Sequence, residues 1–139
     1  MAGYSGTPLV KKLGIKSHFN VAFVNAPENF LTQLELPPDV NVKAISKTKD
    51  LDFILVFVKS RAALTTAFAQ HSVRIKANGM LWISWPKKAS GVPTDLNENI
   101  VRDIGLAAGL VDVKVCAVDE IWSGLKFVYR LKDRPKLAR

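Results

Sequence analysis

The sequence predicts an α/β protein in three layers: a mostly parallel sheet of about six strands, helices on both faces, and an antiparallel hairpin ending the sheet. Three observations lead there. Apolar runs rich in β-branched and aromatic residues, at 19–24, 51–58 and 79–86, read as strands buried on both faces. Segments with helix caps and apolar residues three or four apart stand between them. The last two strand-like segments, 111–118 and 125–131, are separated only by Asp119-Glu120-Ile121-Trp122-Ser123-Gly124, a connection short enough for an antiparallel pair.

The chain opens with a short helix over residues 7–13, with Thr7 as its cap, Pro8 at the first helical position and Gly14 closing it. Residues 19–24 form the first strand, and Pro27 starts a helix that runs to Leu34. A Pro37-Pro38-Asp39 turn leads to a short alternating strand at 40–45 and a polar connector at 46–50. Those five connector residues are fewer than a parallel crossover needs, so the 40–45 strand is expected to be antiparallel, very short or displaced to an edge. The run Phe53-Ile54-Leu55-Val56-Phe57-Val58 marks the 51–58 strand as central. Ser60 caps a helix to about Val73, with Leu64, Ala67, Phe68 and His71 on one stripe. An Asn78-Gly79 turn opens the next strand and Pro86 stops it. Asp95, with Glu98 three residues on, reads as a capping box for a helix whose Leu96, Ile100, Ile104 and Ala108 recur every fourth residue until Gly109.

At 139 residues, 48% apolar and 23% charged, the chain suffices for one domain with its own core. We read 1–139 as that domain, with 1–16 an arm carrying the short helix and 132–139 a basic tail. Cys116 is the single cysteine and reads as a small core residue. No apolar run is long enough to span a membrane, and Met1-Ala2-Gly3-Tyr4-Ser5-Gly6 lacks the order of a secretion signal, so a cytoplasmic protein is expected. The net charge of +8 belongs to the ends: residues 1–16 hold three Lys and no acid, and residues 126–139 hold six Lys or Arg and Asp133. The ends therefore contribute +3 and +5, and residues 17–125 are neutral. Such a tail lends only weak, salt-sensitive affinity for nucleic acid.

Three stretches carry a resemblance: Leu51-Asp52-Phe53-Ile54-Leu55-Val56, Ile75-Lys76-Ala77-Asn78-Gly79-Met80-Leu81-Trp82-Ile83 and Gly109-Leu110-Val111-Asp112-Val113. From Phe19 to about Leu131 the order of elements resembles a trimmed class I methyltransferase core, a Rossmann-like sheet ending in an antiparallel hairpin. At finer grain, Tyr4-Ser5-Gly6-Thr7-Pro8-Leu9, Lys12-Leu13-Gly14-Ile15, Trp85-Pro86-Lys87-Lys88 and Trp122-Ser123-Gly124-Leu125 are similar to a family of small bacterial proteins of unknown function. The broader resemblance implies adenosylmethionine on a glycine-rich turn after the first strand, where a bare backbone approaches the cofactor. That turn reads Asn25-Ala26-Pro27-Glu28-Asn29, and no glycine occurs from Ile15 to Asn78. The acid implied near the end of the second strand, to hold the ribose, is missing from Val42-Lys43-Ala44-Ile45-Ser46-Lys47, with Glu28 the one substitute at hand. The resemblance thus argues for the fold and against the cofactor, and no cofactor is expected.

Ligands of an open parallel sheet sit beyond the carboxyl ends of its strands, near the reversal of strand order. With the 51–58 and 79–86 strands as neighbours, Lys59 and Arg61 fall beside Trp85, Lys87, Lys88 and Ser90, and the first strand contributes Asn25. Four cations, an aromatic face and the Ala89-Ser90-Gly91 segment suit a phosphate or carboxylate, which Arg61 can hold through two parallel hydrogen bonds. The same residues also read as solvated side chains, with Trp85 packed on the helix after Asp95, and Asp95 itself would repel an anion. Asp119, Glu120 and Trp122 are a second rim or simply hairpin-turn residues, and His18 and His71 read as turn and boundary positions. No phosphate loop, His-Glu-x-x-His, paired cysteine or Gly-x-Ser-x-Gly is present, so no catalytic or metal-binding residue is assigned. Phe127 beside Lys126, and Tyr129 beside Arg130, do not match an RNA-binding signature, since adjacent strand residues face opposite ways. Three functions are compatible with this reading. The first is a non-catalytic methyltransferase-like domain binding a protein partner or a small anionic ligand; the others are an enzyme with a divergent cofactor pocket and a nucleic-acid accessory protein using its basic termini.

Overall fold

The computed structural model describes residues 8–28, 30–45 and 49–134. Six strands form one sheet: β1 (Asn20–Val24), β2 (Asn41–Val42), β3 (Leu51–Phe57), β4 (Ile75–Pro86), β5 (Leu110–Ala117) and β6 (Trp122–Tyr129). Their spatial order is β2-β1-β3-β4-β6-β5. The four strands from β2 to β4 are parallel, while β6 runs antiparallel to both β4 and β5. The sheet is therefore mixed, a four-stranded parallel part with a two-stranded antiparallel end, and β3 is central as its apolar run predicts.

Alternation along the strands divides the core in two. Ala22, Ile54, Val56, Leu81, Ile83, Leu125 and Phe127 face α3 (Arg61–His71) and α4 (Glu98–Ala107). Val21, Phe53, Leu55, Phe57 and Trp82 face the other way, toward α1 (Leu9–Leu13) and α2 (Phe30–Gln33). Trp82 is fully buried, and its Nε1–H donates to the Leu13 carbonyl at 2.9 Å, fastening α1 to the middle of the sheet. On the α3 side, Phe68 and Phe127 meet edge to face at 5.0 Å. Phe127 reaches that position because residue 105 of α4 has no side chain: a Cβ there would lie 2.1 Å from the Phe127 ring.

β2 is parallel and lies at the sheet edge, only two residues long. The register explains how so short a connection suffices. Val42 is level with Val21, and Val21 is level with Phe53, so the chain leaves β2 at the height where β3 begins. It has only to cross sideways over β1, roughly two strand spacings of 4.8 Å. Residues 43–45 and 49–50, the described part of that crossing, contain no helix.

Several boundaries differ from the sequence-based expectations. Asn78 and Gly79 are not a turn: β4 runs through them, and three extra residues bulge between the Leu51–Ile75 and Phe53–Met80 pairs. A Cβ on Gly79 would stand 2.8 Å from the Leu51 carbonyl oxygen, which is why glycine occupies the bulge. Pro8 holds the cap position of α1 rather than its first turn, and the expected cap Thr7 lies outside the described residues. β6 begins at Trp122, so Trp122-Ser123-Gly124 belongs to the strand and the hairpin turn is tighter than the spacing suggests. Asp119 closes it, accepting the N–H groups of Ile121 and Trp122 at 2.8 Å each. Of the basic tail at 132–139, Lys132 and Asp133 belong to a 3-10 turn, Leu131–Asp133, and residues 135–139 lie outside the described residues. Among the described residues no helix is long and apolar enough to cross a membrane.

Candidate functional site

The strand order reverses between β1 and β3, and a cavity of about 350 Å³ opens there against α3. Val24 and Asn25 at the end of β1, and Val56 and Val58 at the end of β3, form its floor. Ala62, Ala63, Thr66 and Gln70 supply the α3 wall, with His71 at the far end. The short β2–β3 connection leaves room for the cavity: a helical crossover would cover β1 on this face, whereas the described part of the connection contains no helix and adds Ile45 to the edge of the cluster. Its lining is neutral throughout.

Asn25 is in the left-handed region, with φ of 58°, so the turn after β1 takes a conformation usually given to glycine while keeping a side chain. His71 is 7% exposed, and its Nδ1 is buried with no hydrogen-bond partner among the described residues. Burial, and then the nearby Arg74 charge, lower its pKa below the ordinary histidine value. The imidazole is thus kept neutral beside the cavity. Sequence reading placed His71 on the buried stripe of α3 but missed the opening next to it. The signal was the line of small residues Ala62, Ala63, Thr66 and Ala67, which leaves a helix face shallow.

The remaining predicted site residues gather one strand further on. Lys59 and Arg61 are exposed at the β3–α3 turn. The loop after β4 is tied to that turn from below: Thr94 Oγ1 donates to the Lys59 carbonyl at 2.6 Å, and the Arg61 N–H donates to Asp95 Oδ1 at 2.9 Å. Asp95 therefore caps α3 instead of α4, whose cap is Asn97, accepting the Ile100 N–H at 2.9 Å. Ser60 completes the α3 cap by accepting the Ala63 N–H at 3.1 Å. Glu98, freed from the expected capping box, joins Asp112 on the Arg102 guanidinium. The consequence for an anion is direct: the first N–H of α3 already holds a carboxylate.

Trp85 does not present an aromatic face. It is 4% exposed and packs in the same cluster as Leu96 and Val101. Lys87 donates its N–H to the Ile121 carbonyl at 2.7 Å, and the Ser90 hydroxyl donates to the Lys87 carbonyl at 2.6 Å while accepting from Val92. Lys88 is exposed on the 3-10 turn between them. Of the second rim, Asp119 and Glu120 are exposed, but Trp122 is buried and meets Phe57 edge to face at 5.0 Å. Among the described residues no group of three or more His, Cys, Asp or Glu is arranged to hold a metal ion.

Solved structures similar to this chain include SAM-dependent methyltransferases. A TehB-like SAM-dependent methyltransferase from Corynebacterium glutamicum superposes with a TM-score of 0.57 at 10% identity, over 88% of this chain and 85% of that one. A SAM-dependent methyltransferase from Aquifex aeolicus gives 0.57 at 16% identity over 86% of each chain. Fibrillarin from Aeropyrum pernix, determined with S-adenosyl-L-methionine natively bound, gives 0.58 at 10% identity over 86% of this chain and 73% of that one. The fold is that of the class I methyltransferases. At these identities the likeness shows the fold alone, and no family model and no curated protein sequence matches the chain.

The methyltransferase-like fold raises the question of its usual cofactor, and the residues present do not fit adenosylmethionine. The left-handed position after β1 carries the Asn25 side chain, which itself lines the cavity. β2 leads into Lys43 and Ala44, both exposed, where a ribose-binding acid would stand. Glu28, the carboxylate of the β1–α2 connection, is exposed.

Proposed function

We propose that this chain is a small-ligand-binding domain on a methyltransferase-like scaffold, with its ligand in the β1–β3 crevice and without adenosylmethionine. The single observation that carries this reading is the cavity of about 350 Å³ at the reversal of strand order, a size within the usual range of small-molecule sites. The aliphatic floor and alanine wall take an apolar body. Asn25, Thr66, Gln70 and the neutral His71 imidazole give it hydrogen bonds. Lys59 and Arg61 stand next in sequence to Val58 and Ala62 of the lining and offer charge to an anionic end at the mouth. Asp95 keeps that anion off the α3 terminus, so recognition rests on side chains.

Thermal-shift titration with a panel of aromatic carboxylates and phosphate esters, alongside adenosylmethionine and its demethylated product, tests this. A panel member at ten times its dissociation constant stabilises by about 1.4 kcal/mol, and Ala63→Trp, which fills the cavity from an exposed position, removes the shift. Protection by adenosylmethionine that survives in Ala63→Trp would overturn the reading, as would a panel in which nothing binds.

A second reading, an enzyme with a remodelled pocket, is favoured by one observation: His71, which lines the cavity, has a buried Nδ1 with no hydrogen-bond partner among the described residues. An imidazole held neutral at ordinary pH is the state a general base requires. Substrate turnover that collapses in His71→Gln while binding persists would establish it.

A further inference from the structure

Two of the lysines counted with the chain ends, Lys16 and Lys126, come together with Lys114 of the formally neutral 17–125 span on one face of the sheet. On the α1 side of the terminal hairpin, Lys114 of β5 and Lys126 of β6 stand directly opposite one another in the antiparallel register. Like charges in that position oppose pairing, and among the described residues no acid on this part of the face offsets them. The neighbouring positions on the same face, Cys116, Gly124 and Val128, are uncharged, and α1 contributes lysines but no acid. The acid of β5, Asp112, is on the opposite face, bound to Arg102. Lys114 Nζ donates to the Lys12 carbonyl at 2.8 Å, which fixes the ammonium at the α1 edge and leaves further N–H donors for a ligand. Lys16, just past α1, adds a third charge: burial, and then Lys114 and Lys16, lower the Lys126 pKa below its ordinary value.

α1 sits over Trp82 of β4, and beyond it Lys16 and Lys114 are exposed and Lys126 is half-buried, so among the described residues the hairpin presents an open, positively charged shelf rather than a closed pocket. An open shelf cannot enclose a small anion, but it can lie along a chain of phosphates. The tryptophans of this face, Trp82 and Trp122, are buried and offer no ring for an unstacked base. We infer that the shelf formed by Lys16, Lys114 and Lys126 binds the phosphodiester backbone of double-stranded nucleic acid without reading its sequence. This surface is separate from the β1–β3 crevice and from the basic tail.

Fluorescence anisotropy with a labelled DNA duplex of about twenty base pairs, two helical turns, measured across a salt series, tests the inference. The double variant Lys114→Gln and Lys126→Gln removes two phosphate contacts, lowering the slope of log affinity against log salt by about 1.8 and weakening low-salt binding roughly tenfold. Relief of the repulsion leaves the double variant at least as stable as the parent, and single Lys126→Glu, which creates an opposite-charge pair, gives a second folded probe with the same loss. Lys43→Gln, at the opposite edge of the sheet, leaves binding unchanged. An unaltered slope in the double variant, an equal loss in Lys43→Gln, or displacement of duplex by polyglutamate as readily as by unlabelled duplex would each overturn the proposal.

Discussion

Asp95 is the residue on which the electrostatics of the carboxyl end depend, and its removal separates two descriptions of that end. The carboxylate accepts the Arg61 N–H at 2.9 Å, and the Arg61 Nε–H reaches the Asp95 carbonyl at 3.4 Å. Asp95→Ala deletes a side-chain cap, which costs about 1 kcal/mol, and a favourable charge at a helix N-terminus, worth about 0.3 to 1 kcal/mol at an exposed site. Ser60 still caps Ala63 and Thr94 still holds Lys59, so the loop stays attached and no larger loss is expected. The expected total, about 1.5 kcal/mol, corresponds to a fall in Tm of roughly 4 to 8 °C for a domain of this size. Urea denaturation gives the same quantity as a lowered midpoint with unchanged slope. Asp95→Asn keeps an acceptor and loses only the charge, so it falls between the two. Removing the carboxylate also opens the helix terminus beside Lys59 and Arg61, and added phosphate then raises the Tm of Asp95→Ala more than that of the parent. Should Asp95→Ala unfold at the parental midpoint, or phosphate stabilise both proteins equally, the carboxylate does not occupy the terminus as argued.

Gly105→Ala tests the packing of α4. Helix propensity favours alanine by about 1 kcal/mol, but the new Cβ would stand 2.1 Å from a fully buried Phe127 ring already held edge-on by Phe68. Overpacking of that kind costs about 1 to 3 kcal/mol or more, so a net loss is expected by denaturation, and a gain would refute the close approach. His71 predicts the pH dependence. Its folded pKa is depressed by burial and by Arg74, so the unfolded chain binds the proton more readily once the pH drops below about 6.5. That contribution to stability is complete above the unfolded value and is lost as pH falls from it toward the folded pKa. His71→Gln flattens the profile in this window; an unchanged profile would place the titration elsewhere.

The alternation and apolar runs made the sheet legible because each of its central strands is buried on both faces, and burial leaves a compositional mark. Phe53 to Val58 could hardly be anything else. Capping was less legible for a physical reason: Asp95 and Asn97 are both competent caps, two residues apart, and the sequence contains no record of which N–H each will meet. The tertiary bond from Asp95 to Arg61, 34 positions away, decided it. Trp85 misled in a similar way. A tryptophan at the end of a strand reads equally as a platform or as core, and only the position of Leu96 and Val101 over it makes it core.

The cavity and the lysine shelf were illegible for a common reason, which is that both arise from what is missing between elements. A two-residue β2 level with the start of β3 allows the chain to cross β1 without a helix, and the space that helix would fill becomes the crevice. The five residues of α1 reach Trp82 and stop, leaving Lys114 exposed at the helix edge and Lys126 half-buried beside it. Net charge summed along the chain assigns Lys16 and Lys126 to its two ends and Lys114 to a neutral span, and only the hairpin register and the end of α1 bring the three together, while Asp112 is on the far side of the sheet and Asp95 at the end of α3. Shortened connections on one face and a shortened helix on the other thus expose two chemically different surfaces on one scaffold, a neutral crevice suited to a small molecule and a cationic face suited to a polyanion. A ligand in the crevice and a duplex on the shelf approach opposite faces of the same sheet, so neither blocks the other by contact, and Ala63→Trp should leave duplex binding intact.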